Sequence, residues 1–396
     1  MELETDLERV TLGQGPTPVR ELTNLGEERG RAPIWIKDDG AYSEFGGNKA
    51  RKLEWLLAAA ARRGKRTVLT GGALGTNHGL ATALFARRLG MRTVLILVPQ
   101  PDSEHVRRQL ELIRESGAEL HFASGVRRSY LLGVALLLAR ASPPFNPPYF
   151  VRPGGSVPVG CVGYVEAAGE LRAQIEAGEL PAPSHVVVAL GSGGTAAGLA
   201  AGMKLFGVRS RLVCVLVNDL IRVDARTVTR LARRTLRLLG RHGVEIGGIE
   251  LAAADVAVER RWLGAGYGHP TAEAERAIEL LADREGVALE PVYTGKAMAA
   301  LLELNRRSAF GDGPVLFWHT YKEPPAGASD EVADRGLTAC RSVMRPNAAA
   351  ADEPEQARIT GRLRLPGSSR RSDSGAEGRR TTDPAAPGRE AEEAGG

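Results

Sequence analysis

Between Thr67 and Ala141, short runs of β-branched and aliphatic residues alternate with longer stretches whose apolar positions recur every three or four residues. Thr67 to Leu69, Arg92 to Val98 and Glu119 to Ala123 read as strands. The stretches near Asn77 to Leu89, Ser103 to Ser116 and Tyr130 to Ala141 read as helices. Alternation at this spacing predicts parallel βαβ units rather than an antiparallel sandwich. Pro143, Pro144, Pro147 and Pro148 interrupt the chain, and a Gly154-Gly155-Ser156 turn precedes a helix expected over Gly163 to Ala177. A second series starts with the strand His185 to Leu190, turns through Gly191-Ser192-Gly193-Gly194-Thr195 into a helix near Ala196 to Leu205, and returns as the strand Leu212 to Val217. The expected fold class is α/β, with two Rossmann-like parallel-sheet domains and a cleft between them.

Arg222, Arg226, Arg230, Arg233, Arg234, Arg237 and Arg241 follow at close to helical spacing, opposite Val228, Leu231 and Leu238. Without interleaved aromatic residues this is the solvated face of an amphipathic helix and no nucleic-acid contact. After Tyr321 the aromatic residues stop, and residues 327–396 are rich in Ala, Gly, Pro, Ser, Glu and Arg. Such a segment buries too little apolar area to offset chain entropy, so a disordered low-complexity tail is expected there.

The chain has 396 residues, 43% of them hydrophobic and 25% charged, as in an ordinary soluble globular protein. No window approaches the roughly 20 continuous apolar residues of a membrane span, and the acidic start Met1-Glu2-Leu3-Glu4 does not read as a signal peptide. Cytoplasmic residence without a membrane partner is the expectation. Cys161, Cys214 and Cys340 are too scattered for a disulfide framework or a metal cluster, so no metal is expected. A net charge of +5 suits an anionic small molecule as readily as nucleic acid.

The glycine loop Gly191 to Thr195, between an apolar strand and a helix, would converge backbone N–H groups and a hydroxyl where a phosphate can sit. Gly191-x-Gly193-x-x-Ala196 also satisfies the dinucleotide fingerprint, with Asp219 near the distance of a ribose-binding acid. A nicotinamide-dependent oxidoreductase is therefore one reading. The other begins at Lys49, in Gly46-Gly47-Asn48-Lys49-Ala50-Arg51-Lys52-Leu53-Glu54. A lysine brought close to other backbone by two glycines, with a distant phosphate cradle, is the layout that holds pyridoxal phosphate as a Schiff base. On the residues alone, Lys49 is equally a solvated cation beside Arg51 and Lys52.

The Lys49 segment resembles the lysine motif of the D-cysteine desulfhydrase and 1-aminocyclopropane-1-carboxylate deaminase family, pyridoxal-phosphate enzymes of the tryptophan-synthase-β-like fold (fold type II). The similarity runs from about Pro16 to Thr320 through Lys37-Asp38-Asp39, Thr76-Asn77-His78, Gly154-Gly155-Ser156, Gly191 to Thr195, Gly266-Tyr267-Gly268 and Glu290-Pro291-Val292-Tyr293-Thr294-Gly295-Lys296. The resemblance implies that Lys49 forms the Schiff base and moves protons at Cα, and that Gly191, Ser192, Gly193, Gly194 and Thr195 cradle the phosphate. It implies further cofactor contacts from Asn48, Asn77, Thr294 and Thr320, substrate contacts from Thr76, Asn77, His78, Tyr267 and Tyr293, and catalytic parts for Thr76, Tyr267 and Tyr293. Deaminases of the family carry glutamate where this chain has Thr294, so Thr294 resembles the desulfhydrase side. Thr76 stands where the family usually has serine, and Tyr321-Lys322 where it usually has glycines.

The expected organisation is a large cofactor-binding domain from residues 1–51 and 161–326, a small α/β domain from 52–160, and the tail. The expected function is pyridoxal-phosphate-dependent β-elimination from a small amino acid such as D-cysteine, giving pyruvate, ammonia and sulfide, in a homodimer implied by the resemblance. Cyclopropane ring opening, serine or threonine dehydration and racemisation are alternatives within that chemistry. A nicotinamide enzyme, or a non-catalytic binding protein on the same fold, lies outside it.

Overall fold

The computed structural model describes residues 3–140 and 146–322. Pro143, Pro144, Cys340, the expected end of a helix at Ala141 and the expected tail over 327–396 lie outside the described residues.

Strands β1 (Val19–Glu21) and β2 (Ile34–Asp38) lead into helix α1 (Asn48–Arg62). Then come β3 (Thr67–Ala73), α2 (Asn77–Arg88), β4 (Arg92–Val98), α3 (Glu104–Glu115), β5 (Glu119–Phe122), α4 (Val126–Ala139) and β6 (Tyr149–Phe150). Helix α5 (Pro158–Glu176), β7 (His185–Leu190), α6 (Gly194–Leu205), β8 (Arg211–Leu216), α7 (Ala225–Arg241), β9 (Val256–Glu259), α8 (Ala272–Glu285), α9 (Thr294–Arg306) and β10 (Val315–His319) complete the order.

Two sheets result. One runs β5-β4-β3-β6, all parallel; the other runs β1-β2-β10-β7-β8-β9, parallel except for β1 against β2. The α/β class with parallel sheets is as expected. Three boundaries move by four residues or more: β3 runs on from Leu69 to Ala73, α5 opens at Pro158, whose missing N–H costs nothing in the first turn, and α4 opens at Val126, before Tyr130.

Helix α1 is buried along most of its length and joins two cores. Trp55 packs with Cys161, Tyr164 and the α6 side chains, while Leu53, Leu56 and Leu57 pack with Leu80, Leu84 and Phe85 of α2. Beneath it lies an ionic knot: Arg51 meets Asp39 at 3.0 Å and Glu170 at 3.1 Å, and Lys37 Nζ meets Glu170 at 2.6 Å. Asp39 also accepts from Tyr164 Oη at 2.6 Å and Trp318 Nε1 at 2.8 Å. β2, α1, α5 and β10 are thereby fixed to one another, and the start of α1 with them.

Candidate active site

Gly46 and Gly47 set the lysine. Gly47 has φ +47°, and a Cβ there would lie 2.4 Å from the Thr320 carbonyl oxygen, so only glycine lets the start of α1 press against the end of β10. Asn48 N donates to the same oxygen at 3.1 Å. The Asn48 side chain then reaches across the cleft, Nδ2 donating to Thr195 Oγ1 at 3.1 Å, while Lys49 Nζ donates to Asn48 Oδ1. Burial, followed by the neighbouring Lys52 charge, pulls the Lys49 ammonium down to about 7, with Glu290 partly offsetting them. A large share of this amine is neutral, hence nucleophilic, at physiological pH.

The glycine loop forms an anion seat. Helix α6 begins after Gly193 in the left-handed region, an N-cap residue with no side chain to bond its first turn. Its open N–H groups and positive dipole end point to the same cavity that Lys49 enters. Ser156 supports the loop: Oγ donates to Ser192 Oγ at 2.7 Å and accepts from Gly194 N at 2.9 Å. Lys52, one turn after Lys49, donates to the Gly154 carbonyl at 3.1 Å. A Cβ on Gly194 would lie 2.7 Å from Ser156 Oγ and 3.2 Å from Lys52 Nζ, so the loop, the serine and the second lysine share one small space. Burial lowers Lys52 to about 8.

Thr76 caps α2, its Oγ1 accepting from Gly79 N at 3.1 Å, which leaves the hydroxyl proton free to donate into the cavity. Asn77 and His78 follow on the cavity wall. His78 Nε2 pairs with Thr70 Oγ1 at 3.2 Å, and Nδ1 is buried with no partner among the described residues. Burial, then the charges of Lys49 and Lys52, holds the ring well below the usual histidine range, so it is neutral.

Tyr267 and Tyr293 meet hydroxyl to hydroxyl at 2.9 Å with rings edge to face. Asp219 accepts from Tyr267 N at 3.0 Å, and Lys296 Nζ donates to the carbonyls of Leu263 and Gly266 at 2.7 and 3.3 Å, holding the tyrosine's loop. Burial pushes Tyr267 up to about 12 and Tyr293 well above its ordinary value, so both hydroxyls are protonated.

Lys49, Asn48, Thr76, Asn77, His78, Gly191 to Thr195, Tyr267, Tyr293 and Thr320 all line one cavity of about 740 Å³. Thr294 does not: it is buried at the start of α9 with Oγ1 accepting from Glu290 N at 2.9 Å. Glu290 stands on the wall instead, its carboxylate accepting from the backbone N–H groups of Val292, Tyr293 and Thr294. Sequence reasoning gave no separate part to Lys52, Ser156 or Glu290. The signal for Lys52 was its i,i+3 spacing from Lys49, which puts both on one helix face.

These residues fit a phosphorylated aldehyde. A lysine with a partly neutral amine, a glycine-led helix start with a buried lysine beside it for the phosphate, and an orphaned polar nitrogen on the wall define a site for pyridoxal phosphate on a two-sheet α/β frame. The family model described as "Pyridoxal-phosphate dependent enzyme" matches residues 10–320, and the chain belongs to that family. It is 36% identical over 341 residues to a D-cysteine desulfhydrase of Klebsiella pneumoniae, covering 81% of this chain and 95% of that one. It is 35% identical over 321 residues to a D-cysteine desulfhydrase of Yersinia enterocolitica, covering 80% and 94%. A crystal structure of an "ACC deaminase homologue" superposes with TM-score 0.70 at 32% identity, covering 80% of this chain and 92% of that one. The protein is thus a pyridoxal-phosphate-dependent enzyme, and the nicotinamide reading falls: Asp219, its would-be ribose acid, is engaged with the Tyr267 loop.

Proposed function

We propose that the protein catalyses β-elimination from a small D-amino acid, D-cysteine most simply, yielding pyruvate, ammonium and sulfide. The observation that carries this reading is Lys49, held near half-neutral, in one cavity with the α6 anion seat and the Tyr267–Tyr293 pair. When bound, pyridoxal phosphate supplies the electron sink that acidifies Cα. Lys49 would hold the cofactor, and its amine, when free, would take the Cα proton of the substrate. The Thr76 hydroxyl and the N–H groups opening α2 hold the substrate carboxylate, with neutral His78 alongside. The protonated tyrosine pair, on the wall of the same cavity, would hand a proton to the departing sulfur. The α6 N-terminus and Lys52 would hold the cofactor phosphate. The names of the relatives in Klebsiella and Yersinia support the substrate.

Glu290 favours a second reading, ring-opening deamination of 1-aminocyclopropane-1-carboxylate, because it brings a carboxylate to the wall where Thr294 brings no side chain. Its three backbone N–H bonds, however, commit it to capping α9. The test is to incubate the pyridoxal-phosphate-loaded protein with D-cysteine, L-cysteine, D-serine and the cyclopropane amino acid, and to measure pyruvate, 2-oxobutyrate and sulfide. Pyruvate with equimolar sulfide from D-cysteine is expected. 2-Oxobutyrate from the cyclopropane substrate, without sulfide from D-cysteine, would replace the first reading with the second.

A further inference from the structure

At about 740 Å³ the cavity is larger than the chemistry just described requires, and the chemical character of its lining changes from the buried to the exposed residues. At the inner end stand the buried polar groups around Lys49 and His78. Toward solvent the wall becomes apolar: Val126, Tyr130 and Val134 of α4 on one element, Leu220, Ile221 and Leu231 on the segment entering α7 and on α7 itself. Tyr130, Val134 and Leu220 are 47%, 56% and 42% exposed, large apolar side chains left open to water at the mouth of a ligand cavity. Beside them Arg230 and Arg234 also line the cavity. They stand four residues apart on α7, where like charges repel, and no described residue pairs with either. Arg222, also on the wall, has only a long 3.9 Å approach to Asp224.

Sulfide as a leaving group would use neither the apolar stretch nor the arginines. We infer that the outer chamber receives the leaving group, and that the substrate is an S-substituted cysteine whose sulfur carries an apolar group ending in a carboxylate. This rests on the lyase reading of the same site. The Cβ–S bond breaks with its electron pair going to sulfur, the thiolate takes up a proton, and the Cα proton goes to Lys49. The remaining three carbons take up water to give pyruvate and ammonium, so RSCH2CH(NH3+)COO− and H2O become RSH, CH3COCOO− and NH4+ with no change in oxidation state. The apolar walls desolvate the sulfur substituent, and Arg230 with Arg234 pairs with its terminal carboxylate.

The experiment uses α-methyl ligands, which lack the Cα proton and bind without reacting. Calorimetry on the pyridoxal-phosphate-loaded protein compares α-methyl-D-cysteine with its S-benzyl and S-(4-carboxybenzyl) derivatives, in wild type and in the Arg230→Ala/Arg234→Ala variant. The carboxybenzyl ligand is expected to bind at least about tenfold more tightly than α-methyl-D-cysteine, and the double substitution to remove about tenfold from it but less than about twofold from the benzyl ligand. Raising the salt concentration should narrow the gap between the two benzyl ligands. Equal affinities for all three ligands, or equal losses for both benzyl ligands in the variant, would overturn the inference. Equal affinities with pyruvate formed from D-cysteine would remove the chamber's role alone. Tight carboxybenzyl binding with no pyruvate from any cysteine derivative would remove the lyase reading, and the leaving-group assignment with it.

Discussion

Lys49 and Lys52 stand one turn apart on α1 and line the same cavity, yet their surroundings divide the work. Lys49 is brought to about 7 by burial and by Lys52; Lys52, at about 8, leans on the Gly154 carbonyl beside the α6 loop. The neutral amine is the form that attacks an aldehyde, so the rate of cofactor uptake by the apoprotein should rise as pH passes through about 7 and then level off. A profile still climbing toward the ordinary lysine value of about 10.4 would show that burial does not tune this amine. Lys52→Gln should keep the fold and weaken pyridoxal phosphate binding about tenfold, or about 1.4 kcal/mol, in an equilibrium titration. Unchanged affinity would take Lys52 out of the phosphate seat. The glycines before Lys49 made it a candidate without excluding a solvated cation, and its place on the cavity wall with a lowered amine supports the first reading. Thr294, expected against the cofactor, is not among the residues that line the cavity: Tyr293 lines it, while Thr294 Oγ1 bonds back to Glu290 N, because adjacent positions at a helix start point in different directions.

Among the elements, those with local signals were readable. The alternating runs from β3 to β5 and from β7 to β8 announced themselves through hydrophobic period and turn residues, and β7 occupies the expected span His185–Leu190. β2 and β10 sit side by side, Phe317 opposite Ile36, but nearly the whole described chain separates them, and a pairing between distant segments leaves no mark in either one's local pattern. The ionic knot beneath α1 was equally hidden, since Lys37, Asp39, Arg51 and Glu170 look like ordinary charges until the fold brings them together. Burial alone would raise the Glu170 carboxyl, but Arg51 and then Lys37 outweigh it and hold it below the usual range. Glu170→Ala leaves two buried cations without their shared partner, so thermal or urea unfolding should show a loss of about 3–5 kcal/mol. A loss under about 1 kcal/mol would mean that the knot is not what fastens α1. Because the folded carboxyl ionises more readily than the unfolded one, its contribution is complete above the ordinary glutamate value of about 4.3 and falls away as pH drops through the lower folded value.

At the scale of the molecule, the site is assembled from segments far apart in sequence: the start of α1, the cap of α2, the loop into α6, the Tyr267 loop, the entry to α9 and the end of β10. Their joint presence, in order, made the family recognisable from sequence, and the cavity shows the physical reason: each supplies one wall of the same space. What sequence did not show is the chamber beyond them, because α4 and the arginine face of α7 read separately as a plain apolar helix and a solvated one. The central claim is that Lys49 carries the cofactor, with Lys52 one turn away as the nearest rival. Borohydride reduction of the pyridoxal-phosphate-loaded protein, followed by peptide mass mapping, decides between them. The account predicts a pyridoxyl adduct on Lys49 that disappears in Lys49→Ala; an adduct on Lys52, or one that persists in that variant, would contradict it.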